Sequence, residues 1–437
     1  MTEHRLSRRA ATRRIAAAAA ALAVTSSDGT TQLMADTPLS VTGTHDDRLK
    51  PFDDLMTRFV SQEQVPGAAL AVTRGERLVY ARGFGRANTL NDETVQPHSR
   101  FRIASISKPI TAVAILRLVE QEQLSLSAHV TRLLSLEECD DPRWHEVTVR
   151  QLLQHTGGWD REVSFDPMFR STDIAEEFGA APPAGPDLII PYMQQRSLDF
   201  APGSRYAYSN FGYCLLGRVI EQITGLSYEA AVRREVFEPL GITDPVLGRT
   251  LKKAEREVRY YTEDDATGPS VFPPVGRPVP LPYGAWNLEA MDSHGGWVSR
   301  AIDLVRFASA LGAGQSSPLL SEASMTTMIA PPEGPPPLDE SGQRKAVWYG
   351  CGWNVRNAGE QGGVNLWHQG ALAGTSTILV RRHDGLCWAV LFNRRTGTDA
   401  KNLASLIDSS VHLAADAVSE WPSHDLFDTL LHPPSAE

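Results

Sequence analysis

Two strand-like stretches, one near each end of the chain, limit what it can fold into more than any other feature. Val65 to Gly85 holds two apolar, β-branched or aromatic runs around Thr73-Arg74-Gly75-Glu76, the pattern of a hairpin. Near the other end, the runs Ser376 to Val380 and Leu386 to Phe392 flank His383-Asp384-Gly385, and a helical stretch follows from Leu403 to Val418. Between them, from about Ala128 to Ala285, helical patterns (Val149 to Leu153, Tyr213 to Ile223, Tyr228 to Leu240) alternate with loops rich in Pro and Gly. A chain with strands only at its ends builds its sheet from both termini. The predicted fold class is therefore α+β: an antiparallel sheet flanked by helices over residues 49–127 and 286–420, with an all-helical lobe, 128–285, inserted. Residues 262–284 and 330–340 are proline-dense and read as surface excursions, and residues 421–437 as a tail.

The N-terminus reads separately. Arg5, Arg8, Arg9, Arg13 and Arg14 precede a short apolar run from Ile15 to Val24, with a small-residue site at Ala21-Leu22-Ala23. That run is too short to cross a bilayer and has the flanks of an export signal, which predicts a signal over 1–24, a Ser, Thr, Asp and Gly-rich linker over 25–48, and a periplasmic or extracellular location. The arginine pairs leave a twin-arginine route open. No later apolar run is long enough for a transmembrane helix.

Charge narrows the partners. With a formal charge of -10 the chain has no general affinity for nucleic acid, which rests on Lys and Arg displacing counterions from phosphates. The four cysteines, Cys139, Cys214, Cys351 and Cys387, are too scattered for a zinc site and too few for a disulfide framework, so neither a metal nor another cofactor is expected. The expected partner is a small-molecule, peptide or ester substrate.

From Ile106, apolar residues at 106, 110, 113, 116 and 119 recur at three and four, giving an amphipathic helix with a wide buried stripe. Pro109 belongs in its opening turn, because only first-turn N–H groups lack a partner, so the helix is predicted to begin at about Ser105. Ser105 and Lys108 then share one face. A serine hydroxyl becomes a nucleophile when a neighbouring base takes its proton, and a desolvated lysine near a helix N-terminus can have a lowered pKa.

Two further elements follow in order. Tyr208-Ser209-Asn210 comes after Phe200-Ala201-Pro202-Gly203, and His368-Gln369-Gly370 comes later still. Together with Ser105-Ile106-Ser107-Lys108 they resemble the signatures of the serine β-lactamase and penicillin-binding protein superfamily, in its class C-like branch. That branch includes D-alanyl-D-alanine carboxypeptidases, D-aminopeptidases and serine esterases. Longer stretches are also similar, among them VPGAALAV, FRIASISKPITAVAILRLVEQ, VTVRQLLQHTGGW, FAPGSRYAYSNFGYCLLGRVIEQITG and GGWVSRAIDLVRFASAL, covering about 50 to 410.

The resemblance implies a β-lactamase/transpeptidase-like fold with the site between sheet and helical lobe. It also implies roles. Ser105 would be the nucleophile that forms an acyl-enzyme, Lys108 would keep the proton network poised, and Tyr208 would share the general-base work. Asn210 would bind the substrate's amide carbonyl or orient Lys108. His368 to Gly370 would lie on an edge strand beside Ser105, with Gly370 allowing close substrate approach and the Ala371 N–H joining that of Ser105 in an oxyanion hole. The chain departs from the branch at His368, where β-lactamases usually have a lysine that binds a substrate carboxylate. A histidine only partly charged at neutral pH weakens that anchor, and Arg381, Arg382 or a loop arginine could replace it.

Other patterns fail on their missing partners. His294-Gly295-Gly296-Trp297 resembles an α/β-hydrolase oxyanion loop, yet the chain has no GxSxG elbow, so the segment reads as a strand-edge turn. His145-Glu146 lacks the second histidine of a zinc peptidase. His155 to Trp159 reads as structural, with glycines suited to a helix C-cap, and Trp159, Trp297 and Trp353 read as cleft walls. The functional expectation is an exported serine hydrolase acting on an amide or ester through Ser105. The alternatives are a D-alanyl-D-alanine carboxypeptidase or true β-lactamase and, in another class, a catalytically silent ligand-binding or sensor protein. Fold and catalytic residues do not separate substrates, and oligomeric state leaves no mark in the sequence.

Overall fold

The computed structural model describes residues 38–312, 317–334, 342–343, 345–358 and 363–430. The expected export segment, 1–24, the first part of the linker, and much of the second proline-dense stretch lie outside the described residues.

The two terminal hairpins do join in one sheet. Its main strands are β1 (Val41–Thr42), β2 (Gly67–Arg74), β3 (Arg77–Asn88), β4 (Val347–Tyr349), β5 (Asn354–Ala358), β6 (Gly363–Leu372), β7 (Thr375–Arg381) and β8 (Leu386–Phe392). They stand in the order β1-β3-β2-β8-β7-β6-β5-β4, every pair antiparallel. The seam between the ends of the chain is β2 against β8, with Leu70 opposite Val390. The hairpin turn at Gly75-Glu76 falls where the sequence places it, and Gly75 takes a positive φ of 60° that favours glycine.

Side-chain alternation on these strands divides the core in two. On β8, Trp388, Val390 and Phe392 point to one cluster while Cys387, Ala389 and Leu391 point to the other. The first face is covered by α1 (Lys50–Gln62) and α5 (Leu403–Asp416). On α1 the buried Phe52, Leu55, Met56, Phe59 and Val60 recur at three and one, an amphipathic stripe, and each large apolar side chain buried there contributes about 1.5–3 kcal/mol. The second face meets α2 (Ser107–Glu120), α3 (Asn210–Thr224), α4 (Ala301–Ser309) and the other helices of the middle segment.

Four boundaries differ from the sequence reading. The fold begins before Leu49: Val41–Thr42 pairs with β3, and Thr42 Oγ1 donates to Val95 O at 2.6 Å, so this part of the expected linker is tied to the sheet. Residues 421–430 are not a loose tail, since Leu426 N–H bonds Leu78 O and Phe427 is buried. The described residues from 39 to 430 form one compact unit, and Val246–Leu247, within the expected helical lobe, pairs with the strand Trp297–Ser299. Finally, α2 is buried on nearly all faces, from Ser107 to Leu116, rather than along one stripe, because it runs between sheet and helical layer.

Candidate active site

The helix expected at Ser105 begins two residues later. Ala104–Ile106 is a 3₁₀ turn that leads into α2. A 3₁₀ turn has three residues per turn, so Ser105 and Lys108 still stack, and Pro109 still falls in the first α-helical turn. Ala104 has φ +48°, a left-handed conformation costly for a residue with a Cβ, directly before Ser105. The surroundings hold it there. Thr375 and Thr377 of β7 donate to the Arg102 and Ile103 carbonyls, each at 3.0 Å, and Ser107 Oγ donates to Ala104 O at 2.8 Å.

Lys108 is fully buried, and its Nζ has three neighbours: Ser105 Oγ at 3.2 Å, Asn210 Oδ1 at 2.8 Å and the His294 carbonyl at 2.9 Å. Burial pushes the ammonium well below the usual lysine range, against the opposing pull of Asp166, while Arg161 lowers it further. The geometry then assigns the protons. Two of the three neighbours are carbonyls, which only accept, so a neutral Nζ gives its two N–H groups to Asn210 and His294 and turns its lone pair to Ser105.

Asn210 is the first residue of α3, whose N-cap is Ser209, with Ser209 Oγ accepting the Gly212 N–H at 3.1 Å. The same turn places Tyr208. Its hydroxyl neighbours Ser105, its ring lies 4.7 Å from Lys108 Nζ, and the Arg161 guanidinium sits 5.0 Å from the ring centroid. Burial raises the phenol above the ordinary tyrosine range, so at neutral pH Tyr208 is a neutral O–H, able to give a proton as well as take one. Ser105 and Lys108 are thus hydrogen-bonded in one group with Asn210, which lies 102 residues after Lys108 in sequence, and Tyr208 stands beside them.

The third motif sits differently from the sequence reading. β6 is not an outer strand, since β5 and β4 lie beyond it, but β5 pairs only with Gly363 to Trp367. The half from His368 to Leu372 is therefore a local edge that faces the 3₁₀ turn of Ser105. Gly370 serves that contact: a Cβ there would lie 2.2 Å from the Ile103 carbonyl oxygen, so the glycine admits the nucleophile's own backbone. Ala371 lines a cavity of about 450 Å³ together with Ser105 and Asn210. His368 does not line it. Its Nδ1–H donates to Gln369 O at 2.8 Å, and its Nε2 accepts from the Tyr349 hydroxyl at 2.9 Å. Burial, with the nearby Lys108 charge, pushes its pKa down to about 3, so His368 is neutral rather than partly charged.

Several residues of the site were invisible to the motifs. Asp166 and Arg161 line the cavity, as do Trp286 and Arg395. The expected tryptophan walls are not there: Trp159, Trp297 and Trp353 are core side chains. The segment read as a strand-edge turn does lead into a strand, Trp297–Ser299, but it starts in a short helix, Asp292–Gly295, whose His294 carbonyl holds Lys108. Arg381 is buried in β7, and Arg382 is occupied by Asp384 and Asp416, so neither reaches the cavity. The segment His155 to Trp159 follows a helix as expected, but His155, φ +57°, and not a glycine takes the left-handed position after the cap; it accepts the Ser209 N–H at 3.2 Å, and its ring lies tilted 4.4 Å from the Tyr208 ring.

Three neutral buried histidines make folding acid-sensitive. Burial holds His155 and His294 well below 6.5 and His368 at about 3, while the unfolded chain protonates each near 6.5. Below that pH the unfolded state binds more protons, so stability is full above about 6.5 and is lost as pH falls toward the folded values, with a slope approaching about 1.4 kcal/mol per pH unit for each histidine. Urea titrations at pH 7, 6 and 5 should show this loss above the range where carboxylates titrate. Unchanged stability from pH 7 to 5 would contradict it.

With the geometry described, comparison with known proteins is informative. A family model described as Beta-lactamase matches residues 52–411. The chain is 28% identical over 340 residues to penicillin-binding protein 4* of Bacillus subtilis (strain 168), which covers 77% of this chain and 69% of that protein. It is 33% identical over 245 residues to esterase EstB of Burkholderia gladioli, covering 53% and 59%. Among curated relatives that include a fimbrial assembly protein, the matches span from 35% to 69% of the relative's own length. In fold, it superposes on the D-amino acid amidase of Ochrobactrum anthropi SV3 with a TM-score of 0.66 at 23% identity, covering 85% of this chain and 99% of that one.

Proposed function

The chain belongs to the Beta-lactamase family, and from that premise we propose that it is a serine hydrolase that cleaves short acyl esters or uncharged amides through an acyl-enzyme on Ser105. The observation that carries this reading is the hydrogen-bonded group of Ser105, Lys108 and Asn210, with Tyr208 beside it, at a 450 Å³ cavity. The buried Lys108 lone pair takes the proton from Ser105 Oγ as Oγ bonds to the acyl carbon. The carbonyl oxygen, becoming an oxyanion, is held by the Ser105 and Ala371 N–H groups. Tyr208, a neutral phenol beside Ser105, passes a proton to the leaving group and then receives one from the attacking water. The same parts run in reverse order for deacylation, releasing the acid and restoring Ser105.

The preference for uncharged substrates follows from His368, which is neutral, buried and closed off by Tyr349, and so gives no cation where the branch commonly has one. A carboxypeptidase or β-lactamase reading draws on a different observation: Arg161 and Arg395 line the cavity, and Arg395 has no side-chain partner among the described residues. Turnover of p-nitrophenyl acetate, a D-Ala-D-Ala peptide and a cephalosporin on one preparation separates these. Efficient ester cleavage with weak action on the two carboxylates is expected. The reverse order would replace this reading with the second, and an Arg395→Ala variant that loses only the carboxylate substrates would identify the anchor.

A further inference from the structure

Asp166 belongs to none of the three motifs, yet it touches the catalytic group through one hydrogen bond. It lies on the loop before the 3₁₀ turn Pro167–Phe169, where Oδ1 accepts the Met168 N–H at 3.1 Å. Its Oδ2 accepts from Asn210 Nδ2 at 2.6 Å. A carboxylate only accepts, whereas a side-chain amide has one donating end and one accepting end. Asp166 therefore fixes which way the Asn210 amide faces. With its NH₂ end held by Asp166, Asn210 turns Oδ1 to Lys108 Nζ, 2.8 Å away. If the amide were reversed, two N–H donors would face each other in a buried site, and the lysine would have to turn its lone pair from Ser105 to satisfy the amide.

We propose that Asp166 is a positioning residue which, by fixing the Asn210 amide, aims the Lys108 lone pair at Ser105 during acylation. The inference rests on the reading of Ser105 and Lys108 as the acylating pair. Besides its geometric role, Asp166 is, among the described residues, the anionic group that acts on the charge of Lys108. The groups that face Lys108 are Ser105, the Tyr208 and Tyr213 rings, Asn210, the His294 carbonyl, the neutral His155, His294 and His368 rings, and the charged Asp166 and Arg161. Asp166 favours the ammonium and Arg161 opposes it. Removing the carboxylate leaves Arg161 unopposed, so Lys108 releases its proton at lower pH.

The test is Asp166→Asn, read by the burst of p-nitrophenol from p-nitrophenyl acetate, which reports acylation. The acylation rate should fall by about 10- to 10²-fold, the scale of a misplaced catalytic group, with KM changed little and the acid limb of the pH profile moved to lower pH. Adding Asn210→Asp to this variant exchanges amide and carboxylate, restores an acceptor toward Lys108, and should recover part of the rate with the limb moved back up. Asp166→Ser keeps a cap for the Met168 N–H and removes only the contact to Asn210, so it reads the same effect if Asp166→Asn folds poorly. An unchanged acylation rate in the folded variants overturns the proposal. So does a slower rate with an unmoved limb and no recovery in the double variant, the result of a merely structural role. Full activity in Ser105→Ala would instead remove the reading on which the proposal stands.

Discussion

Replacing Ser105 by alanine should lower ester turnover by about 10⁴-fold or more, the scale on which a hydrolase loses its nucleophile. A fluorophosphonate or penicillin-type probe should label Ser105 and no other serine. Both expectations come from one feature of the site. Ser105 Oγ has a buried amine at 3.2 Å and a phenol beside it, at a cavity open to substrate. Its neighbours in sequence lack this. Ser107 is buried, and its Oγ is engaged with the Ala104 carbonyl at 2.8 Å. Ser209 serves as the N-cap of α3. Mass mapping of the adduct decides the matter, and an adduct on another serine, or undiminished turnover in Ser105→Ala, would refute the assignment. The second outcome would also favour a cleft kept only for recognition.

What the sequence made legible depended on whether a signal was local. The hairpin at Gly75, the strands around His383-Asp384-Gly385 and the sheet built from both ends all rest on alternation and turn residues, which act over a few positions. The contact between Ser105 and Lys108 was legible too, although the turn that makes it is 3₁₀ and not α. The fate of His368 was not. Its charge state depends on burial and on Lys108, and its Nε2 is closed off by Tyr349 from another strand. Gly370 shows the same limit: the sequence marked a close approach on the strand, but only the register of β6 shows that the approaching group is Ile103 O rather than substrate. Asp166 is the clearest case. An aspartate before a proline reads as a turn cap, and it is one; its second oxygen meets Asn210 across 44 residues, and no spacing rule carries that information.

Lys108→Ala and Tyr208→Phe should each slow the reaction by at least about 10²-fold, the usual contribution of a positioned acid or base. Their effects should not multiply. Lys108 lies 3.2 Å from Ser105 Oγ and 4.7 Å from the centre of the Tyr208 ring, so both groups serve one proton network around Ser105 and each depends on the other. Once Lys108 is gone, a neutral phenol above its ordinary pKa is a poor base, and removing its hydroxyl loses little more. Once the hydroxyl is gone, the amine can still take the serine proton, but delivery to the leaving group is lost. The double variant should therefore fall close to the slower of the two single variants, as groups that act as a unit do. The pH profiles separate the roles. Activity limited by deprotonation of Lys108 rises with pH through its lowered pKa and should keep that acid limb in Tyr208→Phe, but lose it in Lys108→Ala. A double variant slower by the full product of the two factors would mean independent tasks. An acid limb that survives in Lys108→Ala would give the base to another residue.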